Sequence, residues 1–184
     1  LLTGAQGGID YYNFGQVLKL NAAGDKVATA SEGNGGSGVV QVYAWDGSSW
    51  VFQSSGLAGQ SGQQVGEAIG FDTTGNTVAI FYGTPAYVVI QSWNGSAWVD
   101  KGIGPGWDLT TPEHPDYLYY SGHSFGGSCS LSGDGNVLAF GDLNGDNTNA
   151  WKGKVFVYEY DPGGSSPNFW TIKGSAIEGS VNND

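Results

Sequence analysis

An all-β chain built from repeated, four-stranded propeller-type blades is what this sequence predicts, on three observations. One unit is written three times. The glycines are spread through every copy beside many aromatics. Turn signals recur at matching places. The first half of the unit reads Gly15-Gln16-Val17-Leu18-Lys19-Leu20-Asn21 with Gly24-Asp25-Lys26-Val27-Ala28. It returns as Gly66-Glu67-Ala68-Ile69-Gly70-Phe71-Asp72 with Gly75-Asn76-Thr77-Val78-Ala79, and as Gly126-Gly127-Ser128-Cys129-Ser130-Leu131-Ser132 with Gly135-Asn136-Val137-Leu138-Ala139. The second half, Val42-Tyr43-Ala44-Trp45-Asp46-Gly47-Ser48-Ser49-Trp50, is answered by Ile90-Gln91-Ser92-Trp93-Asn94-Gly95-Ser96-Ala97-Trp98 and more loosely by Val157 to Tyr160 with Trp170. The spacing is 51 residues from Gly15 to Gly66 and 60 from Gly66 to Gly126. Of the 184 residues 33 are glycine, beside 8 Phe, 7 Trp and 10 Tyr, a mixture that suits short strands and tight turns and does not suit disorder.

Each strand of the unit has its own reason. In the first, Leu18/Leu20, Ile69/Phe71 and Cys129/Leu131 alternate, which predicts one buried face. A turn on Gly24, Gly75 or Gly135 follows, beside Asp25, Asn76 or Asn136, residue types that accept a left-handed backbone. The second strand opens on Val27-Ala28, Val78-Ala79 and Leu138-Ala139, and the recurring alanine predicts a crowded position. The third runs through Val40-Val42, Val88-Ile90 and Val155-Val157 and ends on Trp45, Trp93 or Tyr160. Hairpins on Asp46-Gly47 and Asn94-Gly95 lead to a fourth strand opening on Trp50, Trp98 or Trp170, so that two large rings face each other across the turn. The tryptophans recur with the repeat, which makes them structural rather than a sugar platform.

Composition excludes several functions. Seventeen acidic residues oppose six lysines, no arginine is present, and the net charge is −11. Nucleic acid and anionic membrane surfaces are poor partners for such a chain. No apolar run approaches the ~20 residues that span a bilayer. The single cysteine, Cys129, stands where Leu18 and Ile69 stand in the other copies and reads as a small buried hydrophobe.

Units of the form F-G-x-x-V-x-L-x-x-D-G-x-x-V-A, a Gly-rich loop and then V-x-V-Y-x-W-x-G-S-x-W resemble the FG-GAP-type repeats of integrin-α-like β-propellers. Phe14-Gly15 and Phe125-Gly126 match the opening pair, and Val65-Gly66 keeps its glycine. The resemblance runs over residues 14–179. It implies a non-enzymatic module for assembly or adhesion, outside a cell or on a particle surface, contacting protein or glycan or other copies of itself. It also implies calcium loops: Asp142, Asn144 and Asp146 match the first three ligands of D-x-[DN]-x-D-G-x-x-D, whereas Asn147 replaces the glycine and Ala150 the last aspartate. A solvated polar turn is the competing account of that loop.

The repeats divide the chain into 1–13, the end of a preceding blade; 14–64; 65–124, with an insertion over 99–124; and 125–184. Three blades are fewer than the ~4–8 with which propellers close. The expectation is therefore a part of a longer chain or closure with other copies. The insertion holds Trp107, His114, Tyr117, Tyr119 and Tyr120, the candidate ligand-binding residues, because rings beside carboxylates and an imidazole stack on and hydrogen-bond a sugar. Filling the space between two blades is the structural alternative. Glu113 and Asp116 form the one compact carboxylate pair near the histidines and define the alternative function, a glycan hydrolase. Asn94-Gly95-Ser96 is a glycosylation sequon on an expected hairpin.

Overall fold

A computed structural model describes residues 11–33, 38–53, 57–58, 64–83, 86–103, 125–142, 153–164 and 169–180. Among these every regular element is a strand, arranged in three antiparallel sheets. The first contains β1 (Tyr11–Leu20), β2 (Lys26–Gly33), β3 (Val39–Trp45) and β4 (Trp50–Phe52), with the short β5 (Leu57–Ala58) also on β3. The second contains β6 (Val65–Phe71), β7 (Thr77–Gly83), β8 (Ala86–Trp93) and β9 (Trp98–Ile103). The third contains β10 (Phe125–Leu131), β11 (Val137–Asp142), β12 (Lys154–Tyr160) and β13 (Trp170–Ile172), with β14 (Ile177–Glu178) also on β12. In each the strands lie in chain order, the meander expected of a propeller blade. β1 begins at Tyr11, inside the stretch assigned from sequence to a preceding blade.

The repeated glycine explains itself. Register shifts fall between Tyr12 and Val17, Val65 and Ile69, and Phe125 and Cys129, one bulge at the same place in each first strand. Gly15 and Gly66 occupy it with φ of +89°, a backbone setting that β-carbon sterics disfavour. The turn glycines Gly24, Gly75 and Gly135 take φ of +72°, +67° and +67°, as their sequence context requires.

Blades pack face to face. Val78, Ile80 and Tyr82 of β7 point to the first blade, into a core with Ala28, Ala30, Val40 and Val42. Ala79 and Phe81 of the same strand point the other way, to Leu138, Phe140, Phe156 and Tyr158. The middle blade is thus buried on both sides, which is why β7 reads Val-Ala-Ile-Phe-Tyr without alternation. Cys129 lies in the second of these cores, and burial pushes its thiol up to about 12, so it acts as a hydrophobe there.

One expectation is corrected. Ile69 and Cys129 are buried, but Leu18 and Leu20 are each 57% exposed. They lie on the face of β1 that points away from the second blade, where no described residue covers them. Alternation sets which residues share a face; here that face is buried on β2 and β3, at Val27, Thr29, Gln41 and Tyr43, and open only along the edge strand β1.

The ring pairs across the hairpins form as expected. Trp45–Trp50, Trp93–Trp98 and Tyr160–Trp170 have centroids 5.6, 5.7 and 5.4 Å apart.

Candidate functional site

The strand directions give the molecule two unlike ends. At the turn end lie the tight turns after β1, β6 and β10 together with the hairpins after β3 and β8, tied by Trp45 N–H to Asp25 C=O at 2.7 Å and Trp93 N–H to Asn76 C=O at 2.8 Å. At the loop end lie the connections from β2 to β3, β7 to β8 and β11 to β12, and the links from each blade to the next.

The turn end is locked by side chains. Asp72 Oδ1 accepts from the N–H groups of Asn76 and Thr77 at 2.8 and 3.0 Å. Asn21 Oδ1 accepts likewise from Asp25 and Lys26, and Ser132 Oγ from Asn136 and Val137. Blades are then joined turn to turn. Ala22 N–H donates to Thr73 C=O at 3.0 Å, and Thr73 N–H to Gly133 C=O at 3.2 Å. Lys26 Nζ reaches Asn76 Oδ1 at 2.6 Å. Lys101 Nζ, from β9, reaches Gly135 C=O at 2.8 Å and Asn136 Oδ1 at 2.7 Å, and sits 5.1 Å from the centre of the Tyr160 ring. Trp170 Nε1 returns a bond to Lys101 C=O at 3.0 Å. Nothing in a lone lysine on a strand announces this role; the clue is that Asn76 and Asn136 share one repeat position.

Two exposed aspartates of this end are held well into the acid range. Asp134 is lowered from 3.8 to about 2 by the Ser132 hydroxyl first, then by Asn136. Asp46 is lowered to about 2 by the N–H groups of Ser49 and Ser48 and by their hydroxyls. Because the folded values are depressed, the stabilisation is present above pH 3.8 and is lost as pH falls through about 2. The expected result is that Asp46→Asn/Asp134→Asn melts below the parent protein at pH 5 and that the gap closes on approach to pH 2. A gap independent of pH in thermal melts would refute the turn bonding.

Asn94 makes the Asp46 pattern in the second blade, its Oδ1 accepting from Ser96 N–H, Ser96 Oγ and Ala97 N–H at 3.0 Å each. The residue is exposed. Since Asp46 fills the same position with the same bonds, the turn accounts for an Asx residue there without a glycan.

The sequence candidates for ligand and calcium fall in the connections 104–124 and 143–150 and at Asp142. Trp107, Glu113, His114, Asp116, Tyr117, Tyr119, Tyr120, Asn144 and Asp146 lie outside the described residues. The strands that flank them are described, and they converge. Phe125, where the chain re-enters after 104–124, is the register partner of Asp142, from which 143–150 departs; Asp142 in turn is the partner of Lys154, where the chain re-enters. The segment 104–124 therefore ends beside the point from which 143–150 departs.

Asp142 itself is buried, at 7% exposure, and engaged in the protein. Lys154 Nζ pairs with Glu178 Oε1 at 3.1 Å. Repeat positions equivalent to Asp142 hold Ser31, 1% exposed, and Tyr82, whose hydroxyl is pushed up by burial and by Asp100. The loop end of the inner strands is thus a row of buried polar groups, one for each blade. Among the described residues no three His, Cys, Asp or Glu stand close enough to hold a metal ion. Of the three expected calcium ligands only Asp142 is among them.

No protein-family model matches the sequence, and no curated protein matches it. Solved structures share the fold. A "putative 6-phosphogluconolactonase" from Bacteroides uniformis superposes with a TM-score of 0.55 at 13% identity, over 88% of this chain and 39% of the other. One of the same description from Bacteroides fragilis gives 0.55 at 14%, over 88% and 38%. A "hypothetical selenium-binding protein" from Sulfolobus tokodaii gives 0.51 at 12%, over 89% and 42%. The chain spans about two fifths of the length of these structures. At such identities the likeness establishes the propeller-type fold. It also corrects the expectation of a non-enzymatic adhesion module: the fold is shared with proteins described as enzymes, and the integrin-type resemblance finds no counterpart among the three.

Proposed function

We propose that the chain belongs to a propeller enzyme that hydrolyses a sugar lactone, with the chemistry at the loop end. The observation that carries this reading is the fold shared with two structures described as 6-phosphogluconolactonases over 88% of the chain. Charge narrows the substrate. With no arginine and a net charge of −11, a phosphorylated sugar meets repulsion and lacks the guanidinium fork that suits phosphate, so the lactone is an uncharged one.

Lactone hydrolysis needs a base to take a proton from water as the oxygen attacks the ring carbonyl. It also needs an acid to protonate the ring oxygen as its bond to that carbon breaks. Segment 104–124 carries Asp108, Glu113, His114, Asp116 and His123, of which Glu113, His114 and Asp116 are the closest together in sequence, and Trp107, Tyr117, Tyr119 and Tyr120 supply rings for the sugar face.

The test is titration of acid release from an unphosphorylated hexose δ-lactone and from its 6-phosphate. A rate proportional to protein concentration is expected for the uncharged lactone, and it should fall in His114→Ala and Glu113→Gln. No acceleration over buffer with either lactone would overturn the reading. Faster turnover of the phosphate would overturn the substrate assignment.

A further inference from the structure

The hairpin between β8 and β9 opens on an Asn-Gly pair whose side-chain amide is gripped at its oxygen and left alone at its nitrogen. We propose that Asn94 is a site of spontaneous deamidation, where water replaces the amide nitrogen and leaves the aspartate that the first blade already carries at this turn. The inference rests on the geometry of the hairpins and is independent of the lactonase reading.

The equivalent turns define what this position holds. In the first blade Asp46 Oδ1 accepts from Ser48 N–H at 2.8 Å, Ser48 Oγ at 2.9 Å and Ser49 N–H at 2.8 Å, and Oδ2 accepts from Ser49 Oγ at 3.1 Å. Asn94 Oδ1 keeps the first three of these bonds, at 3.0 Å each. The fourth is lost, because Ala97 stands where Ser49 stands. Among the described residues Asn94 Nδ2 therefore has no partner, and it is the group that must leave. The third blade begins the same turn on Asp161, which accepts from Gly163 N–H at 2.9 Å. Two of the three turns thus use a carboxylate, and the N–H groups of Ser49 and Ser48 lower that of Asp46 to about 2.

The reaction asks for an accessible backbone nitrogen after the asparagine and a polarised side-chain carbonyl. Gly95 carries no side chain, and a β-carbon built on it would meet nothing within 4 Å, so water reaches its nitrogen. Asn94 is exposed, and the three donors on Oδ1 act as an oxyanion hole for charge developing there. The Gly95 nitrogen gives its proton to hydroxide and bonds to Asn94 Cγ. The bond from Cγ to Nδ2 breaks, and the nitrogen takes a proton from water and leaves as ammonia. Water then opens the cyclic imide. Opening at Cγ restores the ordinary peptide bond and sets a carboxylate on the same three donors. Opening at the backbone carbonyl gives isoaspartate, which lengthens the main chain by one carbon between Trp93 and Trp98, register partners across the hairpin. The turn therefore favours normal aspartate. Overall, water enters, ammonia departs and the chain gains one negative charge. Asp46 does not follow this path, because an ionised carboxylate resists attack by a nitrogen.

The experiment incubates the folded chain and a urea-unfolded sample side by side at mildly alkaline pH. Chymotrypsin then releases residues 94–98 by cutting after Trp93 and Trp98, and mass spectrometry reads the peptide. Conversion of its amide to a carboxyl is expected at least as fast in the folded chain as in the unfolded one. Normal aspartate, told from isoaspartate by co-elution with synthetic peptides, should form a larger share of the product from the folded chain. Ser96→Ala removes the hydroxyl donor and keeps both N–H groups. It should slow the folded chain about fivefold, the effect of one hydrogen bond, and leave the unfolded rate unchanged. An amide retained in the folded chain while the unfolded chain loses it would overturn the inference. So would equal aspartate shares together with a folded rate indifferent to Ser96→Ala.

Discussion

Replacing Phe81 by alanine should destabilise the protein by about 3–5 kcal/mol, the usual range for a fully buried phenylalanine. Phe81 is 2% exposed and sits between two blades, its ring 5.4 Å from that of Phe140. Phe140 is stacked in turn on Tyr158 at 5.8 Å and tilted against Phe156 at 5.6 Å. Truncation leaves a cavity lined by rings fixed on strands, which cannot close over it, so the cavity cost adds to the lost transfer energy. Phe81→Leu should lose less, because it keeps most of the volume. Denaturant unfolding measures both. A loss below about 1 kcal/mol for the alanine variant would mean that the second and third blades are not packed as described.

The other large effect is expected at the bulge glycine. Gly66→Ala places a methyl group 2.5 Å from the Ala30 β-carbon of the preceding blade while holding φ at +89°. Gly15→Ala imposes the same backbone strain, with nothing within 4 Å of its new methyl. The strain alone is worth about 1–3 kcal/mol. Overpacking adds about 1–3 kcal/mol more at Gly66 only. The difference between the two variants in urea unfolding thus isolates the approach of one blade to the next. Equal losses would contradict that approach.

Much of this architecture was legible in the residues. Strand ends at Trp45, Trp93 and Tyr160, turns on Gly24, Gly75 and Gly135, and the buried Cys129 all follow from local chemistry repeated three times. Burial does not extend to Leu18 and Leu20, because a repeat shows a residue's position within a blade and not what covers it: on the same face Val27, Thr29 and Tyr43 are buried while the edge strand stays open. Lys101 escaped notice for a related reason. Its partners lie 34 and 35 residues away across a blade junction, and its equivalents are Gln53 and Lys173, so the repeat position does not keep one residue type through all three copies. The candidate ligand-binding residues were chosen by chemistry alone. The described strands add that 104–124 ends at Phe125, the register partner of Asp142, from which 143–150 departs.

The turn ladder has a consequence for how such a protein is made and remade. Its rungs are backbone groups at one repeat position, donated by Ala22 and Thr73 and accepted by Thr73 and Gly133, so the joint does not depend on which side chain occupies that position. A duplicated gene segment encoding one blade arrives with both halves of the joint already in place. Lengthening or shortening the array then calls for no invented contact at this seam, and the loops at the opposite end are free to diverge while the blades are being counted out.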